Sequence, residues 1–188
     1  MIFKKKRGDN IEAPHVDEIY RSALKKLSEE APGFSIRNAV ENDLERVREI
    51  NLLSLPENYP FSFFYELWRD WGKAFYVAVS PESEVVGYVM CRVENKPGFH
   101  KLSLVKSGHI VSIAVLEKYR GIGLGYGLMA HAMKSLYENY GCEETYLEVR
   151  VSNTPAINLY NKLGYKVVKI AKHYYLDGED AFVMAREL

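Results

Sequence analysis

The sequence predicts a mixed α/β fold in one main domain, and three observations support this prediction. Apolar residues at helical and at strand spacing alternate along the chain from residue 34 onward. An apolar strand that ends near Val115 continues through a glycine loop into a long helix. The last two predicted strands flank Asp177 and Gly178, a pair typical of hairpin turns. At 188 residues the chain can bury one continuous core, and we expect no second full domain.

The first 32 residues differ from the rest. A basic cluster, Lys4 to Arg7, precedes a predicted amphipathic helix that Pro32 and Gly33 end. The apolar face of this helix consists of Val16, Ile19, Tyr20, Ala23, Leu24 and Leu27. The helix packs on the domain, packs on a second copy of the chain, or docks to a partner. The basic cluster is either a solvated tail or a ribosomal RNA contact. We therefore divide the chain into residues 1–32 and a domain of residues 33–188.

The predicted elements of the domain follow in order. They are a strand 34–39, a helix 41–53, a proline-bracketed loop 55–60, an aromatic helix 62–71, strands 74–79 and 84–94, a polar loop, a strand 109–115, the glycine loop, a helix to about residue 140, a strand 145–151, a helix 155–163, and a hairpin of strands 166–175 and 180–186. Most of these strands are expected to pair antiparallel, with the helices on both faces of the sheet.

Composition excludes several classes of protein. The 25 basic and 25 acidic residues balance, so no net field draws the chain to nucleic acid or to a membrane. No apolar run is long enough for a signal peptide or a membrane span. Cys91 and Cys142 are too few for a disulfide framework, and the five histidines lack metal-ligand spacing, so we expect a soluble cytoplasmic protein without a metal.

The glycine loop predicts an anion site. Arg120, Gly123 and Gly125 form the pattern Arg-x-x-Gly-x-Gly between strand and helix. Glycine lets the backbone approach a ligand closely, and the free N–H groups at a helix start favour phosphate. Two alternatives remain: a flexible turn, and a dinucleotide fingerprint formed by Gly125, Gly127 and Ala130 with Glu148 as the ribose ligand. No Gly-Lys-Ser/Thr follows, which excludes a Walker loop.

Three separated motifs resemble one family. The loop pattern resembles the acyl-CoA pyrophosphate loop of the GNAT acetyltransferases, and the segment from Glu148 through Asn153 and Tyr160 to Lys166 resembles their fourth strand and following helix. Leu55-Pro-Glu-Asn-Tyr59 and Tyr174-Tyr-x-Asp177-Gly-Glu-Asp180-Ala are similar to segments of N-terminal acetyltransferases of the NatA type, especially archaeal ones. The resemblance covers about residues 34–188 and implies the GNAT fold, with an extra N-terminal helix here.

The resemblance implies three catalytic residues. His109 and Glu148 would relay a proton from the acceptor amine through an ordered water, and Tyr160 would protonate the departing CoA sulfur. Imidazole titrates near neutral pH, and strand alternation places Glu148 opposite the apolar side chains of its strand. The alternatives are a strand-end histidine, a structural acid and a core aromatic residue.

The resemblance also implies binding residues for both substrates. Acetyl-CoA would contact the segment Ile113, Ala114 and Val115, with one N–H facing the thioester oxygen, and the loop Arg120, Gly121, Ile122, Gly123, Leu124 and Gly125, together with Asn153 and Tyr160. The acceptor peptide would contact Leu55, Pro56, Glu57 and Tyr59 on one side and Tyr174 and Tyr175 on the other. Gly121 and Gly127 depart from relatives, and close approach of the cofactor is one interpretation of them.

The predicted activity is acetyl transfer from acetyl-CoA to the α-amine of protein N-termini, by direct attack in a ternary complex. We expect nascent chains that begin with Ser, Ala or Thr, and also Met, as acceptors, with ribosome association an open question. The alternatives are a dedicated ribosomal-protein acetyltransferase of the RimI type, a noncatalytic acyl-CoA-binding or ribosome-docking module, and a lysine acetyltransferase.

Overall fold

The computed structural model describes residues 14–188. Its strands are β1 Ser35–Asn38, β2 Tyr76–Val79, β3 Val85–Pro97, β4 Leu104–Val115, β5 Glu144–Arg150, β6 Lys166–Ala171 and β7 Ala181–Glu187. Its helices are α1 Val16–Glu30, α2 Leu44–Ser54, α3 Phe61–Trp71, α4 Leu124–Tyr140 and α5 Thr154–Lys162. Within this part of the chain the strands form one sheet in the order β1-β2-β3-β4-β5-β7-β6. Only β4 and β5 pair parallel, which confirms the predicted mixed and mostly antiparallel fold.

Helices cover both faces of the sheet. One apolar core lies between the sheet and the helices α1, α4 and α5, and includes Leu128, Met133 and Leu147. The other lies under α2 and α3 and includes Ile50, Phe64 and Tyr88. Successive residues of β2 alternate between the two cores, as Val77 and Ala78 do, because side chains of a strand point to opposite faces. The site described below therefore sits on a sheet that is packed from both sides.

Two strand boundaries differ from the prediction. β4 begins at Leu104 rather than at residue 109, because the segment predicted as a polar loop forms the arms of a long hairpin in which Pro97 pairs with Leu104. Exposed and buried positions alternate here, since Leu104 and Lys106 are exposed whereas Val105 and Ser107 are buried, and the polar residues obscured this pattern. β6 ends at Ala171 rather than at residue 175, since the Asp180 carboxylate accepts a bond from the His173 N–H and holds a loop there.

The open edge of β4 follows from its pairing. β3 pairs with β4 along the whole strand, whereas β5 pairs with it only from Ser107 to His109. Beyond His109 the neighbouring strands β4 and β5 diverge. The segment Ile110–Val115 therefore has a β-partner on one side only among the described residues, and its other edge can accept an extended ligand.

α1 packs along α4 as part of the core. Ile19, Ala23 and Leu27 are buried, Leu24 of the predicted apolar face is exposed, and Lys134 of α4 binds Asp17 at 2.7 Å. A Cβ added to Gly127 would lie 2.6 Å from Ile36 Cδ1 and 2.9 Å from Leu27 Cδ1. Gly127 is thus explained by helix packing, and the interpretation that the cofactor approaches it was wrong. The predicted helix packs on the domain, while the basic cluster lies outside the described residues.

No helix in the described part of the chain combines the length and the hydropathy that crossing a bilayer requires.

Candidate active site

His109 and Glu148 form a direct pair between β4 and β5. His109 lies opposite Tyr146 in the parallel register, and Glu148 is two residues further along the same face of β5. The His109 Nε2 atom lies 2.6 Å from Glu148 Oε2, and the side chains are 9% and 17% exposed. The Tyr146 ring stacks on the imidazole with the centroids 4.4 Å apart and the planes parallel. The imidazole is therefore fixed by one carboxylate and one ring face.

Tyr146 connects this pair to a second carboxylate. Its hydroxyl donates a 2.5 Å hydrogen bond to Glu94 on β3, and Glu94 in turn lies 2.7 Å from Arg92 Nε. Burial, and then the Glu94 hydrogen bond, raise the pKa of Tyr146, so the phenol stays protonated and donating. The chain of groups from Arg92 to His109 fixes the imidazole on the side of the Tyr146 ring.

The glycine loop ends in a helix start with free N–H groups. Gly123 is the N-cap of α4 at φ +87°, and within residues 14–188 no side chain caps this helix. The first helical bond runs from the Gly127 N–H to the Gly123 carbonyl. The N–H groups of Leu124, Gly125 and Tyr126 precede it and have no partner inside the helix. An anion fits there, because these donors and the helix dipole both favour negative charge.

A cavity of about 740 Å³ joins this helix start to the open edge of β4. Its walls contain Ile113, Ala114, Val115, Arg120, Gly121, Gly123, Leu124 and Gly125, as well as Leu55, Asn153 and Tyr160. Ile122, also predicted as a cofactor contact, instead packs against the core beneath α4. The volume and the shape suit a ligand of cofactor size.

Tyr160 and Asn153 enter the cavity from α5. Tyr160 is 6% exposed, and burial raises the pKa of its phenol to about 12. A phenol with that pKa carries its proton at neutral pH and can donate it to a leaving group. The Asn153 Oδ1 atom accepts the Ala156 N–H as the cap of α5, so it also fixes the start of the helix that carries Tyr160.

The proline-bracketed loop is held from below by Asn51. This fully buried amide donates to the Glu57 carbonyl at 3.0 Å and to the Tyr88 hydroxyl at 3.1 Å, and Tyr88 also bonds Ser112 of β4. Asn58 donates to the Leu55 carbonyl. The loop that carries Leu55, half-buried, and Pro56, exposed, is therefore tied to the sheet under it.

Arg150 joins the two loops that the sequence predicts to contact the acceptor peptide. Its guanidinium binds Glu57 at 2.5 Å, Asp177 at 2.7 Å and Glu179 at 2.7 Å, and its Cζ atom lies 4.1 Å from the Tyr175 ring centroid. Three carboxylates from two loops thus converge on one cation. The loop after α2 and the loop between β6 and β7 are held in one arrangement.

Tyrosine rings line the space between these loops. Tyr174 packs edge-on against Tyr175 with the centroids 5.0 Å apart, and Tyr59 lies 4.7 Å from Phe63. Burial, and then the Glu148 carboxylate, raise the pKa of Tyr174 to about 12. Burial, and then Glu57, raise the pKa of Tyr59 and of Tyr175 as well. All three phenols therefore act as neutral hydrogen-bonding groups near Glu148.

The family is decided by comparison with known proteins. The model of the acetyltransferase (GNAT) family matches residues 44–165. The N-alpha-acetyltransferase of Sulfurisphaera tokodaii is 54% identical over 159 residues, which cover 82% of this chain and 93% of that protein. The chain belongs to the GNAT acetyltransferase family.

Further relatives of this acetyltransferase agree. The ard1 catalytic subunit of the N-terminal acetyltransferase A complex of Schizosaccharomyces pombe is 38% identical over 155 residues, covering 82% of this chain and 85% of that subunit. Ard1 from Thermoplasma volcanium superposes with a TM-score of 0.71 at 29% identity, covering 83% and 98% of the two chains. The NatC complex bound to Gag peptide and CoA gives a TM-score of 0.75 at 25% identity over 82% and 98%.

This acetyltransferase uses acetyl-CoA, and the site fits it. The free N–H groups at the start of α4 suit the pyrophosphate, and the open edge of β4 suits the extended pantetheine. The dinucleotide alternative fails, because Leu27 and Ile36 occupy the space at Gly127 and the chain matches the GNAT family model instead. Within residues 14–188 no three His, Cys, Asp or Glu side chains are grouped to hold a metal ion.

Of the predicted catalytic residues, His109 and Glu148 lie together between β4 and β5, and Tyr160 lines the cavity. The side chains of His109 and Glu148 are in direct contact. The relay of the amine proton through an ordered water beside them stays a prediction. Sequence analysis missed two residues. Asn51 could have been found, because it is a polar residue on the apolar face of α2. The other is Arg150, which links the two loops. No pattern in the sequence indicates Arg150, since its partners lie far away along the chain.

Proposed function

We propose that this acetyltransferase acetylates the α-amine of protein N-termini. The observation that carries the proposal is the acceptor side of the cleft, where Arg150 holds Glu57 and the loop of Tyr174 together beside Glu148. A groove closed by two linked loops suits the end of a chain more than a lysine within one. The names of the relatives from Sulfurisphaera and Schizosaccharomyces support the same acceptor.

The chemistry is a direct transfer within a ternary complex. Acetyl-CoA supplies an activated thioester. The amine nitrogen forms a bond to the carbonyl carbon, the carbon–sulfur bond breaks, the amine loses one proton and the sulfur gains one. An α-amine has an ordinary pKa near 7.7–8.0, so part of it is already neutral at physiological pH and needs only modest help.

Named side chains would move these protons. The pair of His109 and Glu148 would accept the proton of the amine, and the Tyr160 phenol would donate one to the sulfur. An N–H of the segment 113–115 would face the thioester oxygen. A cysteine intermediate is not needed, because Cys91 and Cys142 are both buried away from the cavity and burial raises the pKa of both thiols.

The acceptors we propose are nascent chains that begin with Ser, Ala or Thr, and Met is the further start to test. Leu55 at the cavity wall leaves a short apolar surface where the first side chain would lie. Such a substrate range places the enzyme in the cytoplasm near the ribosome. The basic cluster of Lys4 to Arg7, outside the described residues, is the segment that we propose for ribosome contact.

The test is acetyl-CoA consumption with peptides that differ only in residue one, each with a blocked α-amine control. Glu148→Gln should lower kcat about 10²- to 10⁴-fold, the range for loss of a general base, and leave CoA binding unchanged. Glu143→Gln is the matched control, since Glu143 sits just before β5 and binds the exposed Lys101. Equal turnover of peptides with a free and with a blocked α-amine would overturn the assignment of the α-amine as the acceptor. Full activity in Glu148→Gln would remove the assigned base.

A further inference from the structure

α1 contributes to the cofactor cavity. Lys26 and Ser22 lie one turn apart on this helix, and both line the cavity that contains the glycine loop. α1 precedes β1, the first strand of the sheet, and lies before residues 44–165, which match the family model. The cavity wall therefore includes a helix that lies outside the matched region.

Lys26 lies directly on the glycine loop. A Cβ built on Gly123 would be 3.1 Å from Lys26 Cε and 3.3 Å from its Cγ, so the aliphatic stem covers the Gly123 backbone. Side-chain methylenes of lysine often bury in this way while the ammonium group reaches water. The Nζ atom bonds Glu30 at 2.9 Å on the same helix, and the side chain is 41% exposed.

The position of α1 is rigid enough to present this lysine. Lys134 binds Asp17 at 2.7 Å, and the Tyr20 ring packs edge-on against His131 with the centroids 4.8 Å apart. Leu27, the residue after Lys26, fills the space beside Gly127. The contact between Lys26 and the loop is thus set by the packing of α1 on α4.

Charge explains what Lys26 would bind. The free N–H groups at the start of α4 mark this end of the cavity as the place for an anion, and Arg120 and Lys162 are the other cationic residues in its walls. CoA carries a pyrophosphate and a 3′-phosphate. An exposed ion pair such as that with Glu30 holds its partners weakly, so a phosphate can replace that carboxylate.

We propose that Lys26, with the Ser22 hydroxyl beside it, is a phosphate ligand of CoA supplied by the N-terminal helix. This role rests on the use of acetyl-CoA and not on the choice of acceptor. α1 then has a function besides packing: it supplies a cationic ligand to one side of the cofactor site.

The test is calorimetric binding of CoA and of 3′-dephospho-CoA to the full-length protein without any acceptor. Lys26→Met keeps the stem over Gly123 and removes the charge. Lys25→Met is the matched control, because Lys25 is 76% exposed, pairs with Glu29 and does not line the cavity. Thermal unfolding of both variants checks that the fold is retained.

Lys26→Met should weaken CoA binding about ten- to a hundredfold, as loss of one charge-assisted hydrogen bond does, and Lys25→Met should not. If Lys26→Met lowers the affinity for CoA only, Lys26 contacts the 3′-phosphate. If it lowers the affinity for 3′-dephospho-CoA equally, Lys26 contacts the pyrophosphate. Unchanged affinity of Lys26→Met for both ligands would overturn the proposal. Because no acceptor is present, a failure of the proposed α-amine specificity would not affect this result.

Discussion

Proton transfer at the residue scale depends on how each group is held. His109 is fixed by Glu148 on one edge and by the Tyr146 ring on one face, so it presents one geometry to the cleft. Tyr160 lines the cofactor cavity from α5, and burial raises the pKa of its phenol to about 12. The proposed acceptor of the amine proton and the proposed donor to the sulfur therefore come from different elements.

Tyr160→Phe tests the donor. The ring packing survives this change, so the affinity for CoA should stay within about twofold while kcat falls by at least about tenfold. Tyr165→Phe is the control, because Tyr165 is also buried, lies 6.0 Å from Tyr160 between ring centroids and does not line the cavity. Steady-state kinetics with saturating peptide measures both. A Tyr160→Phe enzyme with wild-type kcat would remove the phenol from the mechanism.

At the scale of elements, the packing of α1 on α4 explains Gly127, a residue that helix propensity disfavours inside α4. Gly127 costs about 1 kcal/mol relative to alanine in an isolated helix. Its missing Cβ leaves room for Leu27 and Ile36, so the packing of three elements depends on it. The same junction presents Lys26 to the glycine loop.

Gly127→Ala should therefore destabilise the protein in spite of its better helix propensity. The added methyl group would lie 2.6 Å from Ile36 Cδ1, and overpacking of this kind costs about 1–3 kcal/mol of unfolding free energy. Gly72→Ala is the control, since its nearest contact would be 3.8 Å and its φ is ordinary. Denaturant unfolding measures the difference. A Gly127→Ala protein as stable as Gly72→Ala would contradict the packing.

Acid stability at the whole-molecule scale depends on His131, which lies between the Tyr20 and Tyr76 rings. Burial lowers the pKa of His131, although its bond to the Gly127 carbonyl opposes the shift. The folded state thus keeps the imidazole neutral, while the unfolded chain binds a proton below about pH 6.5. Acidification from pH 6.5 therefore favours unfolding, and the full contribution is present above that pH.

The unfolding free energy should fall as the pH decreases from 6.5 to 5, by up to about 1.4 kcal/mol per pH unit from this one group. His131→Phe should flatten that part of the curve, and His100→Phe, at an exposed position, should not. Denaturant unfolding at a series of pH values measures the slopes. Parallel curves for the wild type and His131→Phe would exclude His131 as the cause.

Local sequence patterns predicted the secondary structure of this molecule better than its long-range contacts. Periodicity located the helices and most strands, and the motifs pointed to the His109–Glu148 pair and to Tyr160 at the cavity wall. The early start of β4 escaped prediction, because the polar Lys106 and Ser107 interrupt the apolar pattern where pairing with β3 continues the strand. The roles of Arg150 and Gly127 also escaped it, since each depends on partners distant in sequence.

The most direct test is to locate the acetyl group on one peptide that carries both a free α-amine and an internal lysine. After incubation of the wild-type enzyme with acetyl-CoA, fragment mass spectrometry identifies the modified nitrogen. A cleft closed by Arg150 and its two loops predicts acetylation of the α-nitrogen, with the lysine modified at least about 100-fold more slowly. Acetylation of the lysine at a comparable rate would contradict the proposed function.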